Sequence, residues 1–340
     1  MKVLVAGGAG YIGSHFVRLL VDQDIPTAVV DDLSAGHADA LPQSVPLYRA
    51  DVGDRETMRR ILREFEPFAV VDFAGLIQVG ESVRQPDRYF RVNVVHTLAL
   101  LDELVRAGVV AFIYSSTAAV YGAPLHTPID ETHPTQPINP YGASKLAVEH
   151  AAFAYAKAFP VRVACLRYFN AAGAHPSGEL DERHDPETHL IPLAIDASLG
   201  HGPSLTVFGD DWDTPDGTCL RDFIHVVDLA EAHLHALRRL HDQEESLCLN
   251  LGTGRGYSVR EVIDAVARAT GRPVPFTVGP RRAGDPPRLV AAVDRANQAL
   301  GWTARRSSID VIAEDAVRAR RNRYESVDGI ARSSRTPPLR

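Results

Sequence analysis

The pair best placed to move a proton on a substrate hydroxyl is Tyr141 and Lys145, in the stretch Asn139-Pro140-Tyr141-Gly142-Ala143-Ser144-Lys145. Asn139 is a good helix N-cap and Pro140 suits the first helical position, so Tyr141 falls in the first turn and Lys145 lies four residues on along the same face. A free phenol has a pKa of about 10, so work as a general base near pH 7 needs roughly three units, about 4 kcal/mol, of preference for the phenolate. Three positive influences could supply it: the Lys145 ammonium, the N-terminal end of the helix dipole and, when a dinucleotide is bound, its oxidised ring. Thr117 closes the stretch Tyr114-Ser115-Ser116-Thr117, 24 residues before Tyr141. From the end of a strand its hydroxyl could bond the reacting oxygen and relay the proton. Alone, a Tyr and a Lys so spaced usually form a surface pair; a dinucleotide site elsewhere in the chain changes that reading.

Such a site is present at the N-terminus. Val3–Ala6 runs into Gly7-Gly8-Ala9-Gly10-Tyr11-Ile12-Gly13 and then into a helical pattern. Gly7 suits a tight turn, Gly10 lets the backbone approach a phosphate, and Gly13 lets the helix pack closely, with amides of the helix N-terminus facing the anion. The next strand ends at Asp31, 18 residues past Gly13, near the offset of the carboxylate that bonds a ribose diol. A carboxylate repels a 2′-phosphate and Asp32-Leu33-Ser34 offers no arginine to receive one, so the expected cofactor is NAD and not NADP.

The elements that hold these groups follow from periodicity. Strands are expected at Lys2–Ala6, Thr27–Asp31, Leu47–Ala50, Ala69–Ala74, Phe112–Ser115 and Val161–Tyr168. Helical faces run through Ile12, Phe16, Leu19 and Leu20, through Met58, Ile61, Leu62 and Phe65, from about Asn93 to Ala107, and from about Pro140 to Phe159. Strands alternating with helices predict an α/β fold, a Rossmann-type doubly wound parallel sheet with a smaller mixed α/β C-terminal domain. The stretch from Asn170 to about Gly217 reads as substrate loops. Phe223–Val227 reads as a strand returning to the first sheet, and a last helix is expected near Ile309–Arg323. The expected organisation is 1–172 plus 222–246 for the cofactor domain, 173–221 plus 247–326 for the substrate domain, and 327–340 as a mobile tail.

The 340 residues carry a net charge of −7 with no basic stripe, which argues against nucleic acid as a partner. The three cysteines, Cys165, Cys219 and Cys248, are odd in number and far apart, so neither a disulfide framework nor a metal site is expected. No run approaches the roughly 18 apolar residues of a membrane span. A reducing, cytoplasmic setting and no membrane association are expected.

Seven stretches together resemble the UDP-glucose 4-epimerase family, within the extended short-chain dehydrogenases/reductases. They are GGAGYIGSH from Gly7, FAGLIQVGES from Phe73, SSTAAVYG from Ser115, NPYGASK from Asn139, RYFNAAGAH from Arg167, DGTCLRDFIHVVDLA from Asp216 and RRAGD from Arg281. The resemblance implies that Tyr141 takes the proton from a sugar 4-hydroxyl while NAD takes the hydride from carbon 4. A 4-keto sugar then turns over in the pocket and the hydride returns to its other face. By matching position, Gly7, Gly10, Tyr11, Ile12, Asp31, Asp32, Asp51, Val52, Phe73, Ala74, Gly75, Asn93, Ser115 and Tyr168 would hold the cofactor along with Tyr141 and Lys145. Thr117, Asn170, His189, Leu190, Phe208, Arg221, Arg282 and Asp285 would hold the UDP-sugar, the two arginines on its diphosphate. A homodimer through the helices near Asn93–Ala107 and Tyr141–Phe159 is also implied.

The sequence departs from the family pattern at Asp32, Ala35 and Ile77 around the cofactor, and at His189, which replaces an asparagine near the sugar. Leu289, intermediate in size where side-chain bulk admits or excludes acetamido sugars, leaves the sugar open. Two other readings stand beside epimerisation: nucleotide-sugar 4,6-dehydration, against which Ala118-Ala119 supply no acid beside Thr117, and a non-catalytic NAD-binding protein of the same fold.

Overall fold

The computed structural model describes residues 1–282 and 284–333. The first half, in chain order, comprises β1 (Val3–Ala6), α1 (Tyr11–Asp22), β2 (Thr27–Asp31), β3 (Leu47–Arg49), α2 (Arg55–Phe65), β4 (Ala69–Asp72), α3 (Val79–Arg84), α4 (Pro86–Tyr89), a π-helical segment (Phe90–His96), α5 (Thr97–Arg106), β5 (Ala111–Thr117), α6 (Pro140–Ala158) and β6 (Arg162–Tyr168). The second half comprises β7 (Asn170–Ala172), α7 (Leu190–Leu199), β8 (Leu205–Phe208), β9 (Leu220–His225), α8 (Val226–Asp242), β10 (Leu247–Leu251), β11 (Gly256–Ser258), α9 (Val259–Thr270), β12 (Phe276–Gly279), β13 (Arg288–Leu289), α10 (Asp294–Leu300) and α11 (Ile309–Ser333).

Seven strands form one parallel sheet in the order β10-β6-β5-β4-β1-β2-β3. The apolar runs of β1, β2 and β4 are buried on both faces, as a sheet sandwiched between helices requires, while the edge strand β3 is partly exposed. Val3 and Val5 of β1 face α1 and α8 through Phe16, Val17, Leu20, Leu229 and Leu237. Leu4 and Ala6 face α2, α5 and α6 through Met58, Ile61, Leu62, Leu100, Leu101 and Val148. Each such buried side chain contributes roughly 1.5–3 kcal/mol. The chain order runs outward one way from β1 through β2 to β3, and the other way from β4 through β5 and β6. The crevice outside the carboxyl ends of β1 and β4 is therefore the switch point where ligands of such sheets bind. A separate core joins α7, α9 and α11 with β8 and β9 through Ile191, Ile195, Val207, Phe223, Val262, Val266 and Ile312.

The structure changes several expectations. The strand read at Phe223–Val227 is β9, which ends at His225 and does not return to the large sheet. It pairs with β7, β11 and β13 in a small sheet. The edge position goes to β10, whose run Leu247-Cys248-Leu249-Asn250-Leu251 is apolar enough to be covered on both faces. The large sheet thus reclaims residues expected in the substrate domain. The helix read from Asn93 begins as the π-helical segment, with Asn93 inside it, and becomes α-helical at Thr97. The stretch read as loops after Asn170 contains α7 and β8. The last helix runs ten residues past Arg323 to Ser333; the rest of the expected tail, 334–340, lies outside the described residues.

Candidate active site

Local chemistry builds the glycine loop first. Gly7 takes φ +68, and a Cβ there would stand 2.6 Å from the Ala74 backbone nitrogen. At Gly13 a Cβ would lie 2.3 Å from the Gly7 carbonyl oxygen, which is why α1 can begin so close to the turn. Gly10 caps α1 in extended conformation, and no side chain caps that terminus, leaving backbone amides and the positive end of the helix for an anion. Asp31 ends β2, where its carboxylate accepts from the amides of Ala9 at 2.9 Å and Leu33 at 2.8 Å. Burial pushes its pKa up while those two amides oppose the shift. Asp32 is exposed and accepts only from the Ser34 amide at 2.8 Å. This cradle, closed to a Cβ at Gly7 and Gly13 and carrying a carboxylate at the second strand end, fits a dinucleotide with a free ribose diol.

Most of the remaining cofactor candidates follow β1, β3 and β4 or lie on the π-helical segment. Asp51 accepts from the Gly53 amide at 2.7 Å and lies 2.9 Å from His96 Nδ1. Val52 is buried in the core under β2, and Ile12 packs on the opposite core. Phe73, Ala74 and Gly75 follow β4, with the Phe73 ring against Phe16 and His233. Gly75 brings its backbone up to Asn93 and Lys145: a Cβ there would be 3.0 Å from Asn93 Oδ1 and 3.6 Å from Lys145 Nζ. Asn93 is held on both sides, accepting from the Leu76 amide at 2.8 Å and donating to the Leu76 carbonyl at 3.0 Å and to Ser144 Oγ at 3.1 Å. A π-helical turn at this residue is the kind of local irregularity that re-aims a functional side chain. Two of the expected cofactor residues also bond within the chain: the Tyr11 hydroxyl donates to the Gly173 carbonyl at 2.7 Å, and the Tyr168 hydroxyl donates to His233 Nε2.

The proton-handling residues meet at the ends of β5 and α6. The Asn139 side chain accepts from the Gly142 amide at 2.8 Å and Pro140 occupies the first turn, so α6 starts as the spacing predicts. Lys145 is buried and donates from Nζ to the Ser115 carbonyl at 2.9 Å, its ammonium 4.8 Å from the centre of the Tyr114 ring. Thr117 aligns with Tyr168 in the β5–β6 register, and its hydroxyl also caps Ala119 at 3.1 Å. The expectation that the chain's own cations lower the Tyr141 pKa is not met. Burial pushes that phenol up and the Thr117 hydrogen bond is what opposes the shift. Lys145 is itself pushed down to about 8 by burial, with Asp72 and Glu149 pulling it back up.

Asp72 escaped the sequence reading. It is fully buried at the end of β4, its Oδ1 accepts from Ala74 at 3.0 Å, and its Oδ2 has no partner among the described residues. Burial raises it to about 6 while Lys145 draws it down. The signal was available: Ala69-Val70-Val71-Asp72 repeats Ala28-Val29-Val30-Asp31. Beneath Thr117 a second buried set was also missed. Arg167 forks onto Glu149 at 2.9 and 2.6 Å, Glu149 accepts from Ser116, and Arg167 donates to the Tyr121 hydroxyl at 2.8 Å.

The substrate candidates divide. Arg221 lies 3.7 Å from Asp285 and donates to the Leu220 and Pro286 carbonyls, each at 2.9 Å. The Arg282 guanidinium sits 4.2 Å from the Phe208 ring centre. Asn170 pairs with Phe223, two residues from Arg221, and its buried Oδ1 lacks a partner among the described residues. Leu190 opens α7 and packs on the second core. His189 departs from the expected sugar contact, because two carboxylates hold its ring: Nδ1 is 3.0 Å from both Glu182 and Glu187.

A model of the NAD dependent epimerase/dehydratase family matches residues 3–252. The chain belongs to that family. The chain is 49% identical to a UDP-glucose 4-epimerase of Azospirillum brasilense over 96% of its own length and 94% of the relative's. The structure of a Brucella ovis UDP-glucose 4-epimerase in complex with NAD superposes with a TM-score of 0.91 at 46% identity, covering 93% of this chain and 97% of that one. A Bifidobacterium longum UDP-glucose 4-epimerase in complex with NAD+ and UDP gives a TM-score of 0.90 at 39% identity, over 95% and 98% of the two chains. This epimerase is an NAD-dependent isomerase on the Rossmann-type sheet that the glycine loop announced.

Proposed function

We propose a division of labour for the 4-epimerisation of UDP-glucose and UDP-galactose. NAD, when bound, supplies the hydride acceptor for sugar carbon 4 and a positive ring charge. Gly7, Gly10 and the α1 amides hold its diphosphate, Asp31 a ribose, and Gly75 and Asn93 border the reacting end. Tyr141 takes the proton of the 4-hydroxyl through or beside Thr117 and gives it back to the other epimer. Since burial raises the Tyr141 pKa and the Thr117 hydrogen bond is what opposes the shift, the phenolate must be favoured by charge arriving with the cofactor. Asn170, Leu190, Phe208, Arg221, Arg282 and Asp285 form the sugar-nucleotide side, the two guanidiniums on the diphosphate.

The observation that carries this reading is the convergence of Tyr141, Thr117 and Lys145 on the crevice beside Gly75 and Asn93. Product analysis with a panel of sugar nucleotides tests it. UDP-galactose should give UDP-glucose with no net reduction of NAD, and protein with NAD bound that leaves UDP-galactose unchanged would overturn it. Tyr141→Phe should retain NAD and lose turnover by about 10²–10⁴-fold; an unchanged rate would remove Tyr141 from the mechanism.

No helix among the described residues is long and apolar enough to cross a membrane. A cytoplasmic setting is supported by three cysteines that are all free. Exposed Val83 on α3 and exposed Phe90 and Val95 on the adjoining π-helical segment support a homodimer, which the family resemblance puts through the helices near Asn93–Ala107 and Tyr141–Phe159; a monomer by light scattering at micromolar concentration would refute it.

A further inference from the structure

The segment between β7 and α7 lies against the glycine loop. Arg183 forks onto Asp39 at 2.9 and 3.1 Å, and the His184 ring packs edge-on to Tyr11 with centroids 6.2 Å apart. On this segment four side chains converge: one ligand atom from each of Glu182, His184, Glu187 and His189 lies within 4.8 Å of the others. The closest approaches are 3.0 Å from His189 Nδ1 to Glu182 Oε1 and to Glu187 Oε1, 3.4 Å from His184 Nδ1 to Glu182 Oε1, and 3.8 Å from His184 Nδ1 to Glu187 Oε2. Ligands about 2.0–2.1 Å from a tetrahedral ion are separated by about 3.3–3.4 Å, between the closest approach here and the 4.8 Å that bounds the cluster.

Protons alone satisfy this cluster poorly. His189 Nδ1 carries at most one hydrogen yet faces two carboxylate oxygens at equal distance. His184 Nδ1 and Glu187 Oε2 are both buried atoms without a hydrogen-bond partner among the described residues, and Glu182 is only 7% exposed. Unpaired buried polar atoms are costly. A dication at the centre would engage all four groups at once, and its charge would balance two carboxylates with both imidazoles neutral.

We propose that Glu182, His184, Glu187 and His189 form a four-coordinate site for a divalent transition-metal cation of the Zn2+ type. Two imidazole nitrogens select it over Mg2+ or Ca2+, which take oxygen ligands. Four protein ligands leave no open position, so the site is structural. It fastens the 182–189 segment above Tyr11, at the rim of the cofactor crevice. Binding displaces protons from the imidazoles, so affinity rises with pH.

The test uses the NAD-containing enzyme, stripped with a chelator and dialysed against micromolar Zn2+ or Co2+. Elemental analysis should give one equivalent per chain, and Co2+ should produce the intense visible bands of a tetrahedral nitrogen–oxygen site. His184→Ala combined with Glu187→Gln should lower retained metal at least about ten-fold and abolish those bands. Circular dichroism and bound NAD show whether that variant is folded; Glu187→Gln alone, which keeps size and polarity, gives the same comparison if it is not. Wild-type protein retaining no metal, retaining only Mg2+ or Ca2+, or binding Zn2+ as tightly in folded variants as without the substitutions would overturn the site.

Discussion

Asp72→Asn is predicted to make the enzyme more stable and less active in alkali, two effects that share one cause. The Asp72 carboxyl, pushed up to about 6 by burial, sits well above the 3.8 of a free aspartate. A carboxyl raised in the folded state contributes no cost below pH 3.8, where both states are protonated. The cost grows as pH rises through 4 to 6 and is complete above 6. About two units correspond to about 3 kcal/mol as an upper bound, at about 1.4 kcal/mol per unit. The amide keeps the acceptor used by Ala74 and carries no charge, so thermal midpoints above pH 6 should rise by several degrees, with little change at pH 4. The same substitution removes the anion that helps hold Lys145 protonated. Lys145 stands at about 8, and an opposite charge nearby is worth one unit or more, so its pKa should fall to about 7. The protonated fraction at pH 8 then drops from about one half to about one eleventh, an activity loss of about five-fold, while at pH 6 the loss is about a tenth. Profiles of kcat/KM for UDP-galactose from pH 5.5 to 9.5 read this directly as a displaced alkaline limb. A limb that stays in place, or moves to higher pH, would refute the electrostatic link between Asp72 and Lys145.

Gly7→Ala should reduce NAD content sharply and lower stability, because the backbone at φ +68 strains an L-residue and the new methyl meets the Ala74 backbone at 2.6 Å; fluorescence of retained cofactor and the melting temperature check both. Glu149→Gln should destabilise by about 3–5 kcal/mol, since it leaves the buried Arg167 guanidinium without its counter-charge; urea unfolding measures it. Arg282→Ala should raise KM for UDP-galactose about ten-fold or more while leaving kcat within a few-fold, as expected for a group that binds ground and transition states alike; an unchanged KM would take Arg282 off the diphosphate.

What the sequence made legible was local chemistry in fixed register. Gly7 to Gly13, Asp31, and Asn139 to Lys145 each impose a backbone geometry within a few residues, and in the structure they follow β1, close β2 and open α6 as the spacing predicts. What it hid depends on which strands become neighbours. Phe223-Ile224 of β9 and Leu247–Leu251 of β10 are both short strand-like stretches, and it is tertiary pairing, β10 with β6 and β9 with β7, β11 and β13, that puts one at the sheet edge and the other in the smaller sheet. Asp72 was hidden for a related reason: an aspartate closing an apolar strand looks the same whether it meets water, a ribose or a buried lysine. Its twin, Asp31, is also buried but accepts two backbone amides, whereas Asp72 has Lys145 beside it and an oxygen without a partner among the described residues. Even the Tyr141 assignment shows this limit. Residue types alone suggested that the Lys145 ammonium acts on the phenol, but in the fold it donates to Ser115, so what it contributes to turnover depends on Asp72 keeping it charged. The pH profile of Asp72→Asn therefore tests the one link in the mechanism that spacing along the chain could not supply.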